Sequence, residues 1–186
     1  PSSGVLGRTV THALVGLEAR KVEVEAHLQN GVPALAIVGL ADRACQEAKH
    51  RVRSGIESAE LEWPLRRITV NLAPAALRKE GSGFDLPIAL AILAASRQFP
   101  PDRLSGHAAI GELALDGRLR PVTGVLAAAE GARKAGLGHL LRAVERIGEH
   151  TLEFGAQRLD VRCQARAGAF LGPQQALGKW RQARGL

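Results

Sequence analysis

RRITVNLAPAALRKEGSGFDLPIALAILAAS, residues 66–96, and GELALDGRLRPVTGVL, residues 111–126, decide how this chain is read. In the first stretch, the β-branched run from Arg67 to Leu72 predicts a strand, which Pro74 stops. Arg78 to Gly83 reads as a polar, glycine-containing loop. Asp85 is the expected N-cap of a helix from Leu86 to Ser96 that is apolar nearly all round, with Pro87 in its first turn, where a missing N–H costs little. Such a helix has no solvent face and must be buried against a sheet. In the second stretch and its flanks, Ala108 to Leu115 predicts a strand. Asp116-Gly117 is a hairpin signal, and Arg118 to Pro121 starts the return. A helix opens at Thr123 or Gly124 and runs to Ala135, with Gly136 as its C-cap.

Upstream, residues Pro1 to Gly7 read as a frayed start, and Thr9 to Leu17 as a first strand. Lys21 to Leu28 alternates cleanly, with Val22, Val24 and Ala26 on one face, the pattern of a half-buried strand. Asn30-Gly31 marks a turn into a third strand from Pro33, and these strands are expected to form an antiparallel pair or meander. Asp42 is the expected N-cap of a helix to about Ser58. Its apolar stripe is Ala44, Ala48, Val52 and Ile56, joined by Cys45. Downstream, His139 to Ile147 reads as helical, Thr151 to Phe154 and Arg158 to Cys163 as weak strands, and Pro173 to Arg184 as a basic helix. The expected organisation is an α/β (or α+β) domain over 1–137 and a basic extension over 138–186.

The 186 residues are 46% hydrophobic, enough for a sizeable core, so global disorder is excluded. Aromatic residues make up only 3%, which argues against a stacking platform for single-stranded nucleic acid. The net charge of +7 allows an anionic partner, and residues 138–186 carry more than half of the excess. Cys45 and Cys163 stand alone, without metal-binding spacing. The longest apolar run, Leu86 to Ala95, is half the ~20 residues of a membrane span. No membrane contact is expected, and the expected compartment is the cytoplasm.

Several chemistries lack their residues. No GxxxxGK[ST] loop is present to cradle phosphates, no GxGxxG fingerprint, and no HExxH or His/Cys cluster for a metal. Ser82, between Gly81 and Gly83 and just before a helix, has the setting of a nucleophile, and amides there could face an oxyanion. It also needs a base. Lys79 is nearest in sequence, but its charged loop reads as exposed, and an exposed lysine stays protonated at neutral pH. The structural reading of the two glycines, freedom for a tight strand-to-helix turn, accounts for the motif without chemistry.

Three segments in order, residues 15–42, 67–96 and 111–129, resemble the Lon-protease-like (ChlI-like) domain at the front of ComM/YifB magnesium-chelatase-like AAA+ proteins. The resemblance covers about Val15 to Leu137. It implies a mixed sheet with packed helices, as in the second domain of ribosomal protein S5 and in Lon proteolytic domains, with similar domains in the RadA recombination protein. It places the nucleophile position of active Lon-like proteases at Gly83 and their general-base lysine at Leu126. Both halves of the dyad are thus replaced, and this stretch is expected not to be an enzyme. The resemblance further implies a longer protein that forms hexameric rings and takes part in branch migration during natural transformation. ATP and magnesium are expected only in the AAA+ region of that longer protein, and no cofactor or metal here.

Two roles follow from that setting. In one, the domain helps assemble the ring or grips DNA non-specifically through Arg51, Arg53, Arg66, Arg67, Arg78 and Lys79. In the other it makes subunit contacts alone. A serine peptidase built on Ser82 with a non-standard base is the enzymatic alternative.

Overall fold

The computed structural model describes residues 5–142. Its element order is β1 (Val5–Val15), β2 (Glu18–Gln29), β3 (Ala34–Val38), α1 (Asp42–Ser58), β4 (Arg67–Ala73), α2 (Asp85–Ala95), a 3-10 turn (Pro101–Leu104), β5 (His107–Ala109), β6 (Glu112–Leu113), β7 (Leu119–Arg120), α3 (Val125–Lys134) and β8 (His139–Leu141). Six strands form one mixed sheet in the order β3-β4-β2-β1-β5-β8, and β6 and β7 make a separate hairpin. The expected α/β class is what the described residues form.

Strand periodicity sorts the two faces of the sheet. On β2, Val22, Val24, Ala26 and Leu28 all point into the main core, with Ile68, Val70 and Leu72 of β4 beside them. α1 and α2 cover that face. All eleven residues of α2 are buried, as its unbroken apolar surface requires. β1 and α2 approach so closely at Gly7 that a Cβ there would come within 2.5 Å of the Ala95 backbone nitrogen. α3 lies on the opposite face. Gly131 of α3 sits against His12 of β1 and Ala19 of β2, whose positions alternate with those of Gly7 and Val22.

Several expectations are corrected. β1 and β2 do pair antiparallel, but β3 does not continue a meander from Asn30-Gly31. It pairs in parallel with β4, and β4 takes the place beside β2. The cause is the 17-residue α1 between β3 and β4, a crossover long enough to bring the second strand back parallel to the first. The first strand begins at Val5, so Val5 to Gly7 are not frayed. Ala41, not Asp42, holds the N-cap position of α1, and Phe84, not Asp85, that of α2. Ala44 is only half-buried, while Cys45 is buried and its thiol donates to the Ile37 carbonyl at 3.6 Å. The strand expected from Ala108 to Leu115 is broken at Ile110-Gly111, so that its ends serve two sheets. His139 to Leu141 is a strand, not the start of a helix. Pairing with β5 overrides helical propensity there, and Leu140 fills the cluster under α3. The readings of 143–147, 151–154, 158–163 and 173–184, and Cys163, lie outside the described residues.

Candidate functional site

β4 delivers the chain into the loop of residues 74–83, and that loop delivers it into α2. Gly81, with φ of 85°, turns the backbone where a side chain would be strained. The turn is then stitched to the start of the β6–β7 hairpin. Gly111 N donates to Gly83 O, and Leu86 N donates to Gly111 O, each at 3.0 Å. The position implied for a nucleophile, Gly83, therefore faces Ile110 and Val122. A Cβ at Gly83 would lie 3.2 Å from Ile110 Cγ1 and 3.8 Å from Val122 Cγ2, so aliphatic carbon fills the space around it. Leu126, at the implied base position, is in the first turn of α3 and 63% exposed. Ser82 is half-buried, and no side-chain hydrogen bond holds its hydroxyl among the described residues.

Lys79 departs from its expected place. It is 2% exposed rather than solvated, and its ammonium donates to Pro74 O at 2.6 Å and Leu77 O at 2.8 Å. Burial pushes its pKa down. The two carbonyls fold the loop around the ammonium, which accounts for a buried cation without a carboxylate. Sequence alone gave no sign of this, because a lysine between Arg78 and Glu80 has the look of a solvated run. Arg78 itself is exposed and paired with Glu80 at 2.5 Å.

The most buried electrostatic feature was not foreseen as a pair. Asp85, 1% exposed, receives Arg51 Nε at 2.6 Å and Arg51 Nη2 at 3.2 Å, and also the Leu113 N–H at 3.1 Å. Arg51 reaches Glu47 too, at 3.6 Å. Burial pushes the Asp85 carboxyl up, and the guanidinium and the amide pull against it. The same pair holds Arg51 more firmly protonated. Asp85 thus ties α1, α2 and the hairpin together at one point. The signal was available: one carboxylate heading an otherwise apolar helix needs a buried cation.

The six basic residues expected to meet DNA differ in what they already bond to. Arg51 is consumed by Asp85, and Lys79 is buried. Arg53 pairs with Glu57 at 3.1 Å and lies 5.8 Å from the centre of the Trp63 ring. Arg66 and Arg67, at the start of β4, are exposed and outside every ion pair of the described residues. Among the described residues no group of three or more His, Cys, Asp or Glu is placed to hold a metal ion, and no helix is long and apolar enough to cross a membrane.

The family model described as subunit ChlI of Mg-chelatase matches residues 24–145. The uncharacterized protein YifB of Salmonella typhimurium is 47% identical over 126 residues, covering 68% of this chain and 25% of its own length. The competence protein ComM of Haemophilus influenzae is 48% identical over 125 residues, 67% of this chain and 25% of its own. An uncharacterized protein of Mycobacterium tuberculosis is 40% identical over 157 residues, 84% of this chain and 31% of its own. This chain spans a quarter to a third of the relatives it matches. With well over half of its length matched, from β2 past β8, it belongs to the ChlI family of Mg-chelatase-like proteins, alongside YifB and ComM.

Proposed function

We propose that this chain is a non-catalytic Lon-like domain of a ComM-type AAA+ protein, holding partners while another region of the longer protein hydrolyses ATP. The observation that carries this reading is the chemistry of the two dyad positions. Gly83 has no nucleophile and is backed by Ile110 and Val122, and Leu126 has no proton to move. Ser82 gains no base from Lys79, whose ammonium is spent on two backbone carbonyls. A serine hydroxyl without a base is a poor nucleophile at neutral pH. A fluorophosphonate probe is therefore expected to leave the chain unlabelled, with Ser82→Ala indistinguishable from wild type. Labelling that disappears in Ser82→Ala overturns the reading and restores the peptidase.

In the same reading the longer protein works in the cytoplasm as a hexameric ring in branch migration during natural transformation, with ATP and magnesium bound outside this domain. This domain supports ring assembly, touches DNA through phosphates only, or does both. Arg53, Arg66, Arg67 and Arg78 are the cations still at the surface; Arg51 and Lys79 are withdrawn from the set by their internal bonds. Four phosphate contacts give a log–log salt slope of about −3 to −4. Arg66→Ala with Arg67→Ala is expected to make that slope shallower by about 2, equally for unrelated sequences. Affinity that barely changes with salt excludes the DNA role and leaves subunit contact.

A further inference from the structure

Among the described residues His12 is the only buried histidine. It stands on β1 beneath α3, and Gly131 packs on its ring. A Cβ at Gly131 would come 2.6 Å from His12 Cδ2 and 3.0 Å from Nε2. Neither ring nitrogen has a hydrogen-bond partner to replace the water it has lost. The surrounding charges do not invite a proton. Lys21 lies directly across on β2 and repels one, and Glu23 is bonded to Lys21 at 2.7 Å. On α3, Glu130 holds Arg133 at 2.7 Å and Lys134 at 3.9 Å. Arg8, farther along the same face of β1, is paired with Glu25. β1 meets β5 at Val10 and Ala108, and the next residues on that side lead to apolar Ile110.

A charged imidazole needs water, and one neighbour of His12 can give way to admit it. β1 is paired with β2 along its whole length, from Val5–Leu28 to Val15–Glu18, and α2 is pressed against its other face at Gly7. α3 has only ten residues, and its buried side is Ala128, Ala129, Gly131 and Ala132, which hide little apolar area each. These alanines belong to a small cluster with Ala108, Ile110 and Leu140, apart from the main core under α1 and α2. We propose that α3 is an acid-released lid: protonation of His12 lifts it off β1 and β2 while the main core stays closed. The sign follows from burial, which lowers the pKa of the covered ring below the ordinary 6.5. The uncovered ring takes its proton first as pH falls, so each pH unit below that value favours opening by up to about tenfold. A lone helix of this length is marginal in water, so a lifted α3 unwinds and its amides exchange. Neither the DNA contacts nor the lost dyad enters this inference.

Native-state hydrogen exchange on the full chain, in low urea at about pH 7.5 and about pH 5, reads the opening directly. The α3 amides are expected to be at least about tenfold less protected than those of α2 at both pH values, and less sensitive to urea, which marks a local opening. After correction for intrinsic amide chemistry, α3 exchange rises about tenfold at the lower pH, and by no more than about thirtyfold. His12→Leu and His12→Gln, which cannot titrate, each remove that rise. If α3 is as protected as α2 and follows the same urea slope, it opens only with the whole fold and the proposal fails. A local opening of α3 that ignores pH means that His12 stays covered, and this also overturns it. A rise that survives in both variants assigns the response to another group and does the same.

Discussion

Gly7, His12 and Arg51 each carry a consequence at the scale of a single residue. At Gly7 the neighbours are the backbone atoms of α2, which cannot swing aside as a side chain would. Gly7→Ala is expected to cost roughly 2–3 kcal/mol in urea unfolding, the upper range for overpacking. His12 is 4% exposed, with both ring nitrogens outside hydrogen-bond geometry, although the Gly131 backbone nearby slightly favours the charged ring. Burial lowers its pKa from the ordinary 6.5, and the Lys21 charge adds to that. The unfolded chain therefore takes up a proton near pH 6.5 that the folded chain resists. Stability is complete above that pH and declines as pH falls towards the folded value. His12→Leu should flatten this acid limb and raise stability at pH 5 by about 1 kcal/mol, because an unsatisfied buried polar group is also removed. Unfolding curves at pH 5, 6, 7 and 8 give the comparison. Arg51→Ala strands the Asp85 carboxylate. Loss of one partner of a buried pair costs about 3–5 kcal/mol, and the lower figure is expected because Arg51 keeps 20% of its side chain in water. Arg51→Ala with Asp85→Asn should recover part of the loss if the penalty is an uncompensated charge.

At the scale of elements, legibility followed periodicity. β2 was readable from Val22, Val24 and Ala26, and α2 from an apolar run with no polar side. The pairing of β3 was not readable. Asn30-Gly31 dictates a local reversal, but which strand lies beside β2 depends on non-local packing, and Ile68, Val70 and Leu72 give β4 that central place. β8 was misread for a similar reason. Three residues are too few for a period, and the strand exists because β5 offers it hydrogen bonds and α3 offers Leu140 a cavity wall of Ala128, Ala129 and Ala132. Leu140→Ala is accordingly expected to destabilise by about 2–3 kcal/mol. Hydrogen exchange should show the loss concentrated in β5 and α3 rather than in α1. Uniform loss across the sheet would mean that β8 is not a separate seam.

At the scale of the whole molecule, the candidate site is a junction of segments far apart in sequence: the α2 turn, the Ile110-Gly111 break, the hairpin and α1. The Asp85–Arg51 pair spans 34 residues and the Asp85–Leu113 contact 28. No window of sequence contains them together. A fold so joined should unfold in one transition, and Arg51→Ala should lower that single transition without splitting it. Coincident near- and far-ultraviolet dichroism curves are the check. What the sequence determined by itself was local: the types of the strongly periodic elements such as β2 and α2, the burial of α2, and the absence of a serine at 83 and a lysine at 126, because side-chain identity and apolar period are properties of neighbouring residues. The tertiary structure alone decided that Lys79 is buried, that Arg51 pairs with Asp85, and that β4 separates β2 from β3. Each of those is a distance between parts of the chain that meet only when the sheet and its helices pack.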